Sequence, residues 1–193
     1  MTFEDRRARD RSARHQLIIS TARRLAEAEG WDAVTTRRLS TEIEYSQPVL
    51  YKHFSGMQDI AAAVAIEGFA ELADVLAKAR SGRIAPRSKL RRVVHAYVDF
   101  AEANPALYDA MFTRATTLRF ADADTPPQLS AAFGQLRDAV SAVALGQDVD
   151  TLSEVFWAGL HGLVTLGRGG RLRVGHDSAR VERLVDNFCG PTR

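Results

Sequence analysis

The chain has 193 residues, of which 46% are hydrophobic and 26% are charged, a composition typical of soluble globular proteins. Its net charge is +2 and its only cysteine is Cys189, which excludes an internal disulfide framework and favours a reducing cytoplasm. The longest apolar run, which includes Ala61 to Ile66, is too short to cross a bilayer. The charged N-terminus does not resemble a secretory signal, so we expect no membrane partner.

The positive charge is concentrated near the beginning of the chain. Residues 1–56 carry 10 Lys and Arg against 8 Asp and Glu, whereas residues 57–193 carry 16 of each. The arginines of the first segment are Arg6, Arg7, Arg9, Arg11 and Arg14. Local positive charge attracts phosphate more strongly than a small net charge does, although a solvated, frayed terminus explains the arginines equally well. We expect residues 1–13 to form a flexible basic arm.

Hydrophobic residues recur at helical spacing along nearly the whole chain, and no segment alternates as a strand would. This pattern predicts an all-α protein of about nine helices. The first predicted helix runs from Ala13 to Glu29, and Gly30 is a suitable stop.

Two short helices separated by a break follow the first. Thr35 is a suitable N-cap for one of them, and Ser46 for the other, which ends near Phe54. This arrangement makes Gln47 and Pro48 the first two residues of the third helix. A proline damages a helix interior, but in the first turn its missing N–H breaks no intrahelical hydrogen bond.

The later helices are predicted from their starting signals. These signals are Met57, Ser88, Asn104–Pro105, Pro126–Pro127, a capping box at Thr151–Glu154, and a final apolar stripe from Ala179 to Cys189.

The two short helices have the proportions of a helix-turn-helix. In that motif the first helix braces the second, whose N-terminal residues face the base edges of DNA. Gln47 offers both a donor and an acceptor to a base edge, and Tyr51 lies one turn later on the same face. Lys52 and His53 can reach phosphates. Together these residues point to double-stranded DNA as a partner.

The first short helix begins with polar residues. These residues are Thr35, Thr36 and Arg37. Backbone amides at a helix N-terminus favour an anion such as a phosphate, so this cluster also fits a DNA surface.

Residues 14–66 resemble the N-terminal domain of the tetracycline-repressor (TetR) family of transcription regulators. The resemblance is carried by Gly30-Trp31, the Thr35-Thr36-Arg37 start and the sequence SQPVLYKHF at positions 46–54. It implies that Gln47, Pro48 and Tyr51 contact bases. It also implies that Thr35, Tyr51 and His53 contact the DNA backbone. The candidate DNA-binding residues are Thr35, Thr36, Arg37, Ser46, Gln47, Pro48, Val49, Tyr51, Lys52 and His53.

Two positions depart from the family pattern. Glu44 stands where the family usually has a turn glycine, and a left-handed backbone there costs about 1–2 kcal/mol. Met57 replaces a frequent phosphate-contacting lysine, which predicts one fewer phosphate contact per subunit.

The C-terminal half resembles a branch of the family that is marked by the spacing of Trp, His and Gly. The matching stretches are Asn104–Phe112 and Trp157–Leu163. The resemblance implies a small-molecule effector and a homodimer. The helix from Leu152 to Leu166 is apolar around most of its circumference, so we expect it and the last helix to form the dimer interface, while a monomer's central core helix is the alternative.

The aromatic residues of this half provide the lining of an apolar effector pocket, although each residue is individually more typical of core packing. The candidate effector-binding residues are Tyr97, Phe100, Tyr108, Met111, Phe112, Phe133, Phe156, Trp157 and His161.

We therefore expect residues 14–60 to form a DNA-binding domain and residues 61–193 an effector-binding and dimerisation domain. The function that this organisation indicates is a ligand-responsive regulator, acting as a repressor at a palindromic operator. One alternative is a helical adaptor that has lost DNA binding. An enzyme is disfavoured, because the histidines show no metal-ligand spacing and the GRGG sequence at 167–170 lacks the end of a phosphate-binding loop, and we expect no cofactor or metal.

Overall fold

The computed structural model describes residues 2–114, 118–120 and 122–189. Over these ranges it contains nine α-helices and no strand, which confirms the predicted all-α class. The helices are α1 (Phe3–Glu29), α2 (Thr36–Glu42), α3 (Gln47–Tyr51), α4 (Met57–Arg80), α5 (Pro86–Ala103), α6 (Pro105–Asp109), α7 (Pro127–Ser141), α8 (Val149–Arg168) and α9 (Asp177–Cys189). None of the described helices is both long enough and apolar enough to span a membrane.

Helix α1 starts much earlier than the apolar pattern predicted. It begins at Phe3 rather than Ala13, so the expected flexible arm is helical over its described residues. The cause is a capping box: the Thr2 hydroxyl accepts from the Asp5 N–H at 3.2 Å, and the Asp5 carboxylate accepts from the Thr2 N–H at 2.8 Å. These bonds also lower the pKa of Asp5. The charged composition of this segment concealed the start of the helix.

The chain forms two compact units. The first comprises Met1–Phe69 and Asn104–Pro126, and the second comprises Ala70–Ala103 and Pro127–Arg193. The predicted boundary at residue 60 therefore differs from the structural one, because helix α6 belongs with the N-terminal helices.

Helix α6 is bound to the first unit by hydrogen bonds at its N-terminus. The Glu27 carboxylate accepts from the backbone N–H groups of Ala106 at 3.0 Å and Leu107 at 2.9 Å. The Trp31 indole N–H donates to the Ala106 carbonyl at 2.8 Å. A carboxylate on free helix N–H groups satisfies donors that have no partner within the helix. Glu27 therefore caps a helix that begins far away in the sequence.

Helices α4 and α6 approach each other closely at Gly68. A Cβ atom there would lie 2.8 Å from both Leu107 Cδ1 and Met111 Sδ, so these buried side-chain ends would have to shift. Next to it, the rings of Phe69 and Phe112 meet edge to face at 5.3 Å. This contact joins the N-terminal part of α4 to the π-helical turn Ala110–Arg114 that continues α6.

The second unit packs α5, α7, α8 and α9 around a common core. The largest of its fully buried side chains include Tyr97, Phe156 and Leu160. Helix α8 begins at Val149, with Asp148 as N-cap accepting from the Thr151 N–H at 2.9 Å. The predicted capping box at Thr151–Glu154 was therefore wrong, because an aspartate three residues earlier already occupies the capping position.

Replacing Glu27 tests its capping role in the first unit. Glu27→Ala should lower the free energy of unfolding by about 1–2 kcal/mol, because two N–H groups of α6 lose their acceptor. Urea denaturation measures the change. Glu29→Ala is the matched control, since Glu29 is exposed and pairs only with the exposed Arg38, and its effect should stay below about 1 kcal/mol. Equal effects of the two substitutions would contradict the capping role.

Candidate nucleic-acid interface

Helices α2 and α3 form the predicted helix-turn-helix within the first unit. Helix α3 has only five residues and ends at Tyr51, earlier than the predicted end near Phe54. It ends there because the N–H groups of His53 and Phe54 both donate to the Leu50 carbonyl, at 2.9 and 3.0 Å, which closes the helix with a turn. Leu50 and Phe54 are buried, and they fix the inner face of α3.

Pro48 occupies the second position of α3, as predicted. Gln47 precedes it as the first helical residue, and the Ser46 carbonyl accepts from the Val49 N–H at 2.9 Å. The Ser46 side chain makes no capping hydrogen bond. A proline in this first turn costs no hydrogen bond and fixes the backbone in a helical conformation.

The outer face of α3 is accessible. The exposed residues of α3 and its two caps are Ser46, Gln47, Pro48, Tyr51 and Lys52. Tyr51 is 54% exposed although it is a large aromatic residue, whereas Val49 and His53 are half-buried. Exposed aromatic and amide side chains on a packed helix are available to a partner.

Helix α2 presents its N-terminus beside this face. The Thr35 hydroxyl accepts from the Arg38 N–H at 3.1 Å, so the predicted N-cap is confirmed. Thr36 is half-buried, and Arg37 is exposed. Arg37 and Arg38 are both exposed cations at this helix start, and Arg38 is paired with Glu29 and Glu42.

Glu44 has a backbone φ of 57°, the one positive value at a non-glycine residue within the described ranges. The predicted left-handed turn is therefore present. The N–H of Tyr45 donates to the Ser40 carbonyl at 3.1 Å and holds the turn closed. The Glu44 side chain is exposed, three residues before α3 begins.

Ion pairs join α1 to α2 behind the interface. Glu42 accepts from Arg24 at 2.7 Å and pairs with Arg38 at 3.1 Å, and Arg38 also reaches Glu29. The hydrogen bond from Arg24 lowers the pKa of Glu42. The negative charge of Glu42 is balanced by these two arginines. It would therefore repel an approaching phosphate less than the charge of Glu44 would.

His53 lies in a positively charged environment. Burial is the first cause that lowers its pKa, followed by the charges of His15, Arg11 and Arg14. The ring centroids of His15 and His53 are 6.2 Å apart, and the His15 ring stacks on Phe54 at 4.5 Å. A bound phosphate would favour the protonated form of His53. His15 was not predicted to belong to this group, because its only signal in the sequence is its place on the inner side of a basic helix.

The predicted effector residues are divided between the two units. Those in the first unit are Tyr108, Met111 and Phe112; those in the second are Tyr97, Phe100, Phe133, Phe156, Trp157 and His161. Five of the nine are almost fully buried, which fits the core packing that was the alternative for each of them. Those five are Tyr97, Phe100, Tyr108, Met111 and Phe156.

Trp157 contacts three of the predicted effector residues that lie in the second unit. Its indole N–H donates to the Tyr97 hydroxyl at 3.2 Å, and its ring meets those of Phe133 and His161 at 6.2 Å. Burial lowers the pKa of His161, which favours the neutral imidazole. Phe156 instead faces Phe188 of α9 at 5.0 Å.

A separate cavity of about 250 Å³ lies at the ends of α5, α8 and α9. None of the predicted effector residues lines it. Its lining residues are Val98, Glu102, Leu163, Val164, Gly167, Arg168, Leu172, Asp177, Arg180 and Val181.

Two family models match the chain. The model described as bacterial regulatory proteins, tetR family, matches residues 18–64, and the model described as tetracyclin repressor-like, C-terminal domain, matches residues 90–188. The match to the spacing of Trp, His and Gly remains a prediction.

Sequence relatives agree with these models. The chain is 36% identical over 95 residues to the HTH-type transcriptional regulator YobS of Bacillus subtilis, and this match spans about half (49%) of each chain. It is 25% identical to the HTH-type transcriptional repressor AcnR of Corynebacterium diphtheriae, over 91% of this chain and 89% of the relative.

A solved structure shows the same fold. The TetR family transcriptional regulator PfmR from Thermus thermophilus superposes with a TM-score of 0.63 at 19% identity. The superposition covers 91% of this chain and 99% of that one.

Substitution of Glu44 tests whether the turn is strained. Glu44→Gly should raise the free energy of unfolding by about 1 kcal/mol relative to Glu44→Ala, because only glycine adopts a positive φ without a steric penalty. Both variants remove the carboxylate, so their difference in urea denaturation isolates the backbone effect. Equal stabilities of the two variants would show that the turn is unstrained.

Proposed function

The chain belongs to the tetracycline-repressor family of DNA-binding transcriptional regulators, and from this premise we propose that it is a dimeric repressor released from its operator by a small apolar effector. Its site of action on this proposal is the cytoplasm. The observation that carries the proposal is the accessible outer face of α3, where Gln47 and Tyr51 project from a helix that is anchored by Leu50 and Phe54.

Base recognition is assigned to the first turn of α3. A glutamine amide can donate and accept at an adenine edge, and the Tyr51 ring can reach a thymine methyl or the sugar-phosphate backbone. Pro48 contributes an apolar surface between them. Lys52, His53 and the start of α2 at Arg37 supply contacts to phosphates, which position the helix without reading sequence.

Repression is supported by the relative AcnR, a transcriptional repressor whose match spans about nine tenths of both chains. A DNA-binding protein that occupies a promoter blocks transcription by occupancy alone, so the proposal requires no further activity of this chain.

The effector site is assigned to the aromatic group around Trp157 in the second unit. Tyr97 and the half-buried His161 provide polar groups beside aromatic surface, which is the usual composition of a small-molecule site. An effector that binds one conformation of the protein better than another lowers the DNA affinity by the free energy of that preference.

The dimer interface is assigned to α8 and α9. The inner face of α8 is buried in its own subunit through Phe156, Leu160 and Val164, while Val155 on the opposite face is 57% exposed. A Cβ atom at Gly159 would lie 3.2 Å from Leu184 of α9, so these two helices pack closely within one subunit. They can therefore meet a second copy as one continuous surface. Two subunits would place their α3 helices about 34–36 Å apart, to match successive major grooves.

Gln47 and Tyr51 provide the test of base recognition. Gln47→Ala and Tyr51→Ala should each reduce the preference for specific DNA over random DNA by about 1–3 kcal/mol. Gel-shift titrations on the DNA that flanks the coding region, with random duplex as competitor, measure this preference. Gln147→Ala, at an exposed position of the second unit, is the control and should have no effect. If both variants at α3 keep the wild-type preference for specific DNA, α3 does not form the base-recognition site. If the wild-type protein itself shows no such preference, the adaptor function is favoured.

Val155 provides the test of the dimer. Val155→Asp should shift the protein from dimer to monomer at micromolar concentration, because it places a charge in an apolar interface. Val174→Asp is the matched control, since Val174 is 95% exposed outside the helices and its variant should remain dimeric. Sedimentation equilibrium distinguishes the two states. A dimeric Val155→Asp protein would require the interface to lie elsewhere.

A further inference from the structure

The N-terminal half of α1 forms one wall of a basic groove. The groove has a volume of about 750 Å³, and Lys52 and His53 at the end of α3 form its other wall. The residues from α1 that line it are Phe3, Arg6, Arg7, Asp10, Arg11 and Arg14. Their spacing of three and four residues places them on a single face of the helix. The helical start at Phe3 therefore converts an arginine-rich sequence into an ordered, charged surface.

The arginines of this groove lack the acidic partners that arginines have elsewhere in the protein. Within the described part of the chain, Arg6, Arg7, Arg11 and Arg14 form no ion pair. By contrast, many arginines outside the groove are paired with a carboxylate. Those paired arginines are Arg24, Arg38, Arg80, Arg87, Arg91, Arg114, Arg119, Arg137 and Arg180.

The groove is held open by contacts at its base. The His15 ring stacks on Phe54, and the Arg14 guanidinium lies 5.9 Å above the Tyr45 ring centroid. These contacts join α1 to both ends of the α3 segment. Arg7 and Arg11 lie one helical turn apart on α1, and like charges at this spacing repel each other. An anion in the groove would relieve this repulsion, and Asp10 is the one carboxylate among the lining residues.

We propose that this groove binds the sugar-phosphate backbone of duplex DNA beside the bases contacted by α3. The proposal rests on the proposed function and extends it to α1. Arg7 and Arg14 are separated by about 10 Å along the helix axis, at 1.5 Å per residue. A DNA strand presents a phosphate about every 3.4 Å along the duplex axis, so the arginine row has room for two to three phosphates. The groove is continuous with Lys52 and His53, which places those phosphates next to the recognition surface.

The contacts of the groove are with the backbone, so they add affinity without reading sequence. Replacing three arginines should therefore weaken the binding of operator and random duplex by the same factor. Each lost phosphate contact lowers the slope of log K against log salt by about 0.9, so three lost contacts lower it by about 2–3.

The test compares two triple variants of the full chain. Arg7→Gln/Arg11→Gln/Arg14→Gln removes the groove charges, and Arg83→Gln/Arg171→Gln/Arg173→Gln removes the same number of exposed charges from the second unit, outside α8 and α9. The probes are a random-sequence duplex about three helical turns long and the DNA that flanks the coding region. Fluorescence anisotropy at several salt concentrations gives affinity and slope. The groove variant should bind both probes at least about tenfold more weakly at low salt, with the lower slope, and the control should match the wild type.

Three outcomes overturn the proposal. Equal slopes for the groove variant and its control remove the groove from the DNA interface. Loss of binding to random duplex by both variants alike assigns the effect to net charge alone. If the arginine-dependent binding is instead to vesicles containing an anionic lipid, with duplex affinity unchanged, the partner is a membrane surface.

Two further measurements keep the outcomes distinct. Arg6→Gln/Arg7→Gln/Arg11→Gln retains the contact between Arg14 and Tyr45, and it should give the same change in slope if the first variant folds poorly, as judged by circular dichroism. The ratio of operator to random affinity reports the proposed function separately. The protein could show no sequence preference while its binding to duplex DNA still depends on the groove arginines. That result would refute the proposed operator binding and support the proposed contact between the groove and the DNA backbone.

Discussion

The burial of Leu50 and Phe54 is the contact on which the interface of this protein depends. A helix of five residues with a proline in its first turn has no stability of its own, since isolated helices of that length do not form in water. Burying a large apolar side chain contributes about 1.5–3 kcal/mol, so two such side chains suffice to hold α3 in one orientation. With its inner face fixed, Gln47 and Tyr51 can project only outward. The sequence recognition that we propose for α3 would therefore be a consequence of core packing.

The polar contacts that join α1 and Trp31 to α2 and α6 contribute unequally to the stability of the first unit. The ion pairs that link Arg24 and Arg38 to Glu42 are partly exposed, and pairs of this kind contribute about 0–1 kcal/mol each. Glu27 and Trp31 matter more, because they satisfy backbone groups of α6 that would otherwise be unpaired. The first unit thus holds a segment from the middle of the chain by the same α1 surface that supports the helix-turn-helix.

Much of this organisation could be predicted from the sequence, because local signals set it. The order of α2, turn and α3 and the place of Pro48 follow from capping signals within a few residues, whereas the left-handed turn at Glu44 was expected from the resemblance to the family, which usually has glycine there. The start of α1 was not predicted, because the residues that follow its capping box are charged and show no apolar residues at helical spacing. The attachment of α6 to Glu27 was missed because hydrophobic spacing carries no information about which distant donors a carboxylate meets. Aromatic residues serve cores and pockets alike, so sequence alone did not separate Tyr97 and Phe156, which are buried, from Trp157 and His161, which are half-buried.

The structure shows where the positively charged residues of the N-terminal segment lie, which their order along the chain does not. The small excess of positive charge lies in the first 56 residues, and the structure places most of its unpaired arginines on one face of α1 beside α3. Outside this groove, carboxylates neutralise many of the arginines within the protein. Arginines of α1 are therefore concentrated beside α3, the helix to which we assign base contacts.

Selection of the purified full-length chain against a pool of random duplex DNA tests the central claim most directly. If the amino-terminal turn of α3 faces bases, repeated rounds will enrich a palindrome whose half-sites are separated by about one helical turn or a multiple of it. A pool that binds and elutes without any enriched sequence would contradict base recognition by α3.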